Sequence, residues 1–419
     1  MDERRRRLRR HLRNVGRRRP RSKVADTQGN PSTGFGSPLG EGYERVTPWG
    51  PTFVREVHYP LDHPHGNYPV GYLWEVASCC LADLFSPTPA EPPLCQELRF
   101  IDIETTGIIP GAGVIAFMVG IGGITDEEVW VRQYFLRDLH EEPAMLYALV
   151  EELETAQGFV TYNGEMFDLP ILDSRLLQNN FVVSLLLRPH LDLLHHTRRI
   201  WRPRLGRVPL SAIEHHILGY ERKGPDVPGK LVPWLYEMYL STGEEKTLTG
   251  IFYHNEKDIL SLIVLTGIIQ RCRHEPWSEP AMTAEDLIAH ARHLFRRGHM
   301  AEARTSLQHA LERSRTPELR HQAYVELCRI LKRMQAWSEF ISICQRWAEE
   351  WPVPDLTPFE ELAKYYEHRC RDWRTALMWV ARAEALLPRL GPAARARWHD
   401  ALARRRQRLT RRLQKEDHP

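Results

Sequence analysis

Two carboxylates stand two residues apart in the segment Phe100-Ile101-Asp102-Ile103-Glu104-Thr105-Thr106-Gly107. Side chains alternate along a strand, so Asp102 and Glu104 project from one face. On an apolar strand such a pair repels and loses hydration, which is destabilising unless a cation lies between the two groups. Mg2+ and Mn2+ prefer oxygen ligands of this kind. Solvated acids on an edge strand are the other reading, but Phe100, Ile101 and Ile103 call for a covered strand.

A second segment, Thr161-Tyr162-Asn163-Gly164-Glu165-Met166-Phe167-Asp168-Leu169-Pro170, ends a strand, turns on glycine and starts a helix at Asp168. An Asp there also serves as an N-cap or first-turn residue. Its place just past a short strand directs it as well toward the end of the sheet where sites gather. The third segment, Tyr253-His254-Asn255-Glu256-Lys257-Asp258, lies on an amphipathic helix. Residues four apart lie about 40° apart around a helix, and residues five apart about 140°. His254 therefore shares a face with Asp258, while Tyr253 points elsewhere. A metal-binding carboxylate beside an imidazole that accepts a proton from water makes a hydrolysis pair. Taken alone, a His and an Asp four apart are an ordinary surface pair; the conjunction of three segments favours chemistry.

The elements that must position these groups form an α/β pattern. Residues 98–103 read as a strand, 114–124 as a long apolar strand and 129–135 as an alternating one. Helical periodicity follows over 141–156, then a short strand at 159–162 and a helix at 167–178. The domain closes with a helix over 249–273. Three strands, a helix, a strand and further helices is the order of a ribonuclease H-like fold. Residues 1–45 read as a disordered Arg-rich arm and 46–93 as a short β/α lead-in with a Pro-rich linker, including a helix at 74–85. The α/β domain spans 94–275. Beyond it, over 282–390, three helix pairs (284–312, 318–351 and 358–387) recur roughly every 36–37 residues, near the period of tetratricopeptide (TPR) repeats. A generic stack of helical hairpins is the alternative, and both predict an interaction surface. A basic helical tail covers 391–419.

In this order, the three segments resemble the DEDD 3′→5′ exonuclease superfamily of ribonuclease H-like nucleases. The Tyr-Asn-Gly-x-x-Phe-Asp-x-Pro stretch is similar to the second exonuclease motif of proofreading polymerases. The whole arrangement is more specifically similar to the YprB-type family, an exonuclease-like domain followed by TPR-like repeats. That similarity also takes in residues 42–66, Leu191-Asp192-Leu193-Leu194 and Asp226-Val227-Pro228-Gly229-Lys230. It implies an α/β ribonuclease H-like domain with a mixed sheet flanked by helices, followed by an all-α TPR-like repeat domain. It also implies two divalent ions, Mg2+ or Mn2+, bridged by Asp102 and completed by Glu104, Asp168 and Asp258. A base is implied four or five positions before the last Asp. The superfamily usually carries Tyr at four or His at five, whereas this chain has His254 at four and Tyr253 at five. Geometry favours His254, with Tyr253 in reserve. The reaction implied is metal-assisted hydrolysis of phosphodiester bonds in single-stranded DNA or RNA. Thr105, Thr106 and Asn163 are candidate substrate contacts, and Arg198, Arg199, Arg202 and Arg204 around Trp201 a candidate stacking strip.

Charge is unevenly spread. Residues 1–23 carry eleven Arg and Lys23 against Asp2 and Glu3, and residues 389–419 carry nine Arg and Lys415 against three acids, while the chain as a whole is only +3. An acidic body with two basic arms suits a protein that holds a polyanion in its arms and metal in its body. Arg far outnumbers Lys throughout, so solvated tails account for the same charge. No run approaches a membrane span. Seven scattered cysteines without a C-x-x-C pair read as reduced thiols in a cytoplasmic protein. Besides an active nuclease, a catalytically silent nucleic-acid scaffold recruiting protein partners through its repeats fits the pattern. A pure protein-binding adaptor leaves the paired carboxylates unexplained.

Overall fold

The computed structural model describes residues 38–76, 81–107, 113–350 and 355–417. Seven of its strands form one mixed sheet: β1 (Gly42–Thr47), β2 (Gly50–Pro60), β5 (Leu98–Thr105), β6 (Ala116–Ile124), β7 (Glu128–Phe135), β8 (Gly158–Thr161) and β9 (His190–Asp192), in the order β1-β2-β7-β6-β5-β8-β9. A small hairpin, β3 (Pro64–His65) with β4 (Tyr68–Pro69), stands apart. β1, β2, β7, β6 and β5 run antiparallel, whereas β5, β8 and β9 are parallel neighbours. The lead-in is therefore part of the sheet, with β2 pairing along β7 from Phe53↔Phe135 to Pro60↔Glu128. Its strands are separated from the others in sequence, which hides their register from a local reading.

Around the sheet lie α1 (Tyr72–Val76), α2 (Glu142–Leu153), α3 (Asp168–Gln178), α4 (Leu193–Leu205), α5 (Val232–Thr242) and the long α6 (Thr249–His274). The helix expected over 74–85 is helical at α1 and again in a 3-10 turn at Ala82–Leu84, and Cys79 and Cys80 between them fall outside the described residues. Most of the Arg-rich arm falls outside as well.

Every residue of β6 is buried, because helices cover both of its faces. One face belongs to a core with Ile101, Ile103, Leu146 and Tyr236; the other lies under α6 and joins a core containing Phe100, Ile259 and Ile263. Glycine permits the close approach of α6. A Cβ on Gly120 would stand 2.3 Å from the Asn255 side chain, and one on Gly122 the same distance from Ile259. Gly120 is also the register partner of Asp102. The glycine surface of β6 thus brings one particular turn of α6 against the middle of β5.

The C-terminal region is all helical: α7 (Ala284–Arg296), α8 (Met300–Arg313), α9 (Pro317–Met334), α10 (Trp337–Glu350), α11 (Thr357–Tyr365), α12 (Trp373–Leu386) and α13 (Pro392–Asp417). Three consecutive pairs turn on a residue with positive φ, Gly298, Gln335 and Arg371, at equivalent places. Thr283, Thr316 and Asp372 cap the helices that follow them, each accepting a backbone N–H three residues on. The core of these hairpins is continuous with the α6 side of the sheet. Arg204 of α4 seals the junction, its Nε 3.0 Å from both oxygens of the fully buried Asp286 carboxylate. The basic tail helix is partly structural: Arg405 and Arg408 both bind Glu367, and Arg406 binds Glu384.

Candidate active site

On β5 the side chains alternate as expected. Leu98 and Phe100 point to the α6 side, Ile101 and Ile103 to the opposite core, so Asp102 and Glu104 face α6. A register shift between Glu104 and Thr105 ends regular pairing with β6, which leaves Glu104 at the open end of the strand.

Asp168 is the first residue of α3 and is buried. Its Oδ1 accepts the backbone N–H of Ile103 at 3.1 Å, which ties the start of α3 to the strand between the two other carboxylates. The helix terminus favours negative charge there. From α6, Asn255 donates through Nδ2 to Oδ2 of Asp102 at 2.9 Å and to its backbone oxygen at 3.1 Å. Asp258, one turn further on, is buried, and His254 Nε2 lies 3.4 Å from its Oδ2. Four carboxylates from β5, α3 and α6 thereby share one pocket of potential.

Their mutual effect is large. Burial first, then Asp258, Glu104 and Asp168, push the Asp102 carboxyl well above its usual range. Burial, with Asp258 and Asp168, pushes Glu104 up to about 8, although His254 and Arg222 oppose the rise. Burial likewise lifts Asp168 to about 7 against the hydrogen bond from Ile103. Groups so placed are relieved by a positive charge among them. Burial alone would lower His254, but Asp258 and Glu104 outweigh it and hold the imidazole above its usual value.

Arg222, which the sequence reading overlooked, supplies one such charge. Its guanidinium binds Asp258 Oδ1 and clasps Glu214 through Nε at 3.0 Å and Nη2 at 2.8 Å. It also reaches Asp226 at 3.2 Å, which lies 2.8 Å from Nδ1 of His254. Nothing local marks Arg222; it comes to Asp258 only because a π-helical turn at Glu214–Leu218 folds the following loop back over α6.

The other candidates separate. Tyr253 is held away from the carboxylates, its hydroxyl accepting the N–H of Gly224 at 3.1 Å and facing Tyr220 at 3.4 Å. Thr105 is buried and gives its hydroxyl to the Gly107 oxygen at 2.6 Å, while the exposed Thr106 accepts from Ile115 N–H. Asn163 is exposed in a left-handed conformation, φ 69°, with its N–H on Asp192 Oδ1 at 2.8 Å. The stacking strip is corrected: Trp201 is wholly buried, Arg204 is bound to Asp286, and Arg199 lies on another side of α4 from Arg198 and Arg202.

Asp102 turns to Asn255, Asp168 to the N–H of Ile103 and Asp258 to Arg222, and the four carboxylates do not bring three ligand atoms within 4.8 Å of one another. Among the described residues, Glu165, Asp192 and His195 do. That group was also missed in sequence, but its geometry has a structural cause. Asp192 caps α4 through Leu194 N–H and clamps the 163–165 turn through the N–H groups of Asn163 and Glu165, and Glu165 pairs with His195 at 2.9 Å on the surface.

A family model described as RNase_H superfamily matches residues 99–270, a span that contains all four carboxylates, His254 and Arg222. A Bacillus subtilis (strain 168) protein, "Uncharacterized protein YprB", is 32% identical over 333 residues, covering 77% of this chain and 78% of its own length. No helix among the described residues is long and apolar enough to cross a membrane.

Proposed function

This chain belongs to the family of YprB, with an RNase_H superfamily domain, and from that premise we propose that it is a metal-dependent nuclease hydrolysing single-stranded nucleic acid from the 3′ end. The observation that carries the reading is the convergence of Asp102, Glu104, Asp168 and Asp258, from three elements, with three of the four carboxyls held above their usual range by burial and by one another. The donor set is all carboxylate oxygen, which fits Mg2+ or Mn2+. These four residues would hold one or two such ions, which when bound supply Lewis acidity and an acidified water.

The protein's own groups supply the rest. His254 sets Nδ1 between Asp226 Oδ1 at 2.8 Å and Arg222 Nη1 at 2.9 Å and turns Nε2 toward Asp258, where the neutral ring takes a proton from the attacking water. A hollow of about 450 Å3 containing His254 and Asp258 meets, at Leu210, a trough of about 760 Å3 that reaches Asn163. Arg198, Arg202 and Arg207 line that trough with no carboxylate partner among the described residues. Free guanidiniums along a groove that meets the hollow of His254 and Asp258 support a strand held by its phosphates.

One observation favours a second reading, a silent scaffold: the guanidinium of Arg222 already neutralises Asp258. Cleavage of 5′-labelled single-stranded DNA and RNA in Mn2+ or Mg2+ tests both. A metal-dependent ladder shortening from the 3′ end, absent from Asp102→Ala and Asp258→Ala, is expected. Tight, salt-sensitive binding without cleavage or metal affinity would leave the scaffold.

A further inference from the structure

Helix α4 presents its sides to two hollows. Arg198 and Arg202 line the trough that meets the hollow of His254 and Asp258, whereas His196, Arg199 and Ile200 face the repeats. There α4, the end of α6 and α7 enclose a separate cleft of about 520 Å3. Cys272 lines this cleft and Asp258 the catalytic hollow, so about 21 Å of α6 lies between them at ~1.5 Å per residue.

Charge in the cleft is unbalanced. Arg199, Arg273 and Arg297 line it together with His196, His290 and His293. Of its two acids, Asp286 is committed to Arg204 and to capping α7, and Asp83 takes up Arg273 at 3.0 Å, which leaves Arg199 and Arg297. Arg199 finds only a neutral acceptor, Nε2 of His293 at 2.7 Å, and Arg297 has no carboxylate partner among the described residues. Nδ1 of His290 is buried without a hydrogen-bond partner. Burial first, then Arg297 and Arg273, hold the Arg199 guanidinium below its usual value. Ile200, Ile269 and Leu294 supply apolar wall between these groups. Guanidiniums bind phosphate through paired N–H donors, and an apolar wall takes a flat ring.

We propose that this cleft between the sheet domain and the helical hairpins binds a nucleoside phosphate, with the phosphate on Arg199 and Arg297 and the base against Ile200, Ile269 and Leu294. The volume lies within the ~300–1,000 Å3 of small-ligand pockets. A free nucleotide and one unit of a longer strand offer the same chemistry. The site uses none of the four carboxylates and stands independently of the nuclease reading.

Calorimetry of the full chain in EDTA, with AMP, adenosine and inorganic phosphate as probes, tests it. AMP is expected to bind one to one, adenosine not at all, and Arg199→Ala/Arg297→Ala to weaken AMP at least about ten-fold. Asp102→Asn and Arg198→Ala/Arg202→Ala should leave AMP binding unchanged, which keeps the outcome separate from that of the catalytic site. Displacement of AMP by a short single-stranded oligonucleotide would make the strand the source, and failure to displace it the free nucleotide. Failure of AMP to bind the wild type, or equal affinity in the Arg199/Arg297 double variant, would overturn the proposal. Phosphate binding as tightly as AMP would overturn its nucleoside part.

Discussion

Asn255 of α6 holds Asp102 of β5, with its amide nitrogen 2.9 Å from the carboxylate and 3.1 Å from the backbone oxygen. The same side chain accepts from Gln133 at 3.0 Å and lies over Gly120, so one buried amide on α6 sets the orientation of a carboxylate on β5. Positioning of this kind depends on the absence of a Cβ on β6.

Gly120→Ala should therefore act on the site as well as on stability. The new Cβ would stand 2.3 Å from Asn255 and push α6 outward. Overpacking of this sort costs about 1–3 kcal/mol. Chemical denaturation should show that loss together with weaker Mn2+ binding, whereas Asn255→Ala, which removes the donor but adds no bulk, should weaken Mn2+ binding without displacing the helix. Unchanged metal affinity in both variants would separate the Asn255 contact from the site.

Stability in EDTA should fall as pH rises from about 4 to about 8. Glu104 at about 8 and Asp168 at about 7 sit above ordinary values near 4.3 and 3.9. The folded state then binds more protons than the unfolded chain between those values, so ionisation on raising the pH disfavours folding. His254, also held above its ordinary value, acts in the same sense, its contribution fading as it loses its proton. Melting curves across that range should flatten in Glu104→Gln. Added Mg2+ should flatten them too, and its uptake near pH 7 should release protons. A profile that rises with pH would contradict the assignment.

Arg222→Gln should be costly in the absence of metal. It leaves Glu214, almost wholly buried, without its cation and Asp258 with only His254 beside it. Breaking a buried pair from one side costs about 3–5 kcal/mol. The double variant Arg222→Gln/Glu214→Gln should recover most of the loss, and saturating Mn2+ should recover part of it in the single variant by neutralising Asp258. A cost independent of both would place Arg222 outside this network.

The arginines of α4 should divide by function. Replacing Arg198, Arg202 and Arg207 with Ala should leave folding intact and make the salt dependence of single-strand binding shallower by about 2, at ~0.7 per phosphate contact. Arg204→Ala should instead destabilise by about 3 kcal/mol, because Asp286 would be buried without its cation. Equal salt slopes in the triple variant and the wild type would remove the trough from the binding path.

The sequence by itself determined the elements and the candidate ligands, because both rest on local periodicity. Alternation at 98–105 places Asp102 and Glu104 on one face, and a four-residue interval places His254 beside Asp258. The strands and helices expected from 98 to 178, and the closing helix at 249–273, lie within a few residues of those observed. Tertiary structure alone decided which groups meet. Arg222 reaches Asp258, Arg204 reaches Asp286 and Tyr253 is drawn off to Gly224 through contacts between segments distant in the chain. β1 and β2 join the sheet for the same kind of reason, since pairing with β7 is invisible until the chain is folded. Trp201 shows the limit most simply. Helical spacing places it among arginines, but only packing between the sheet domain and the hairpins makes it core.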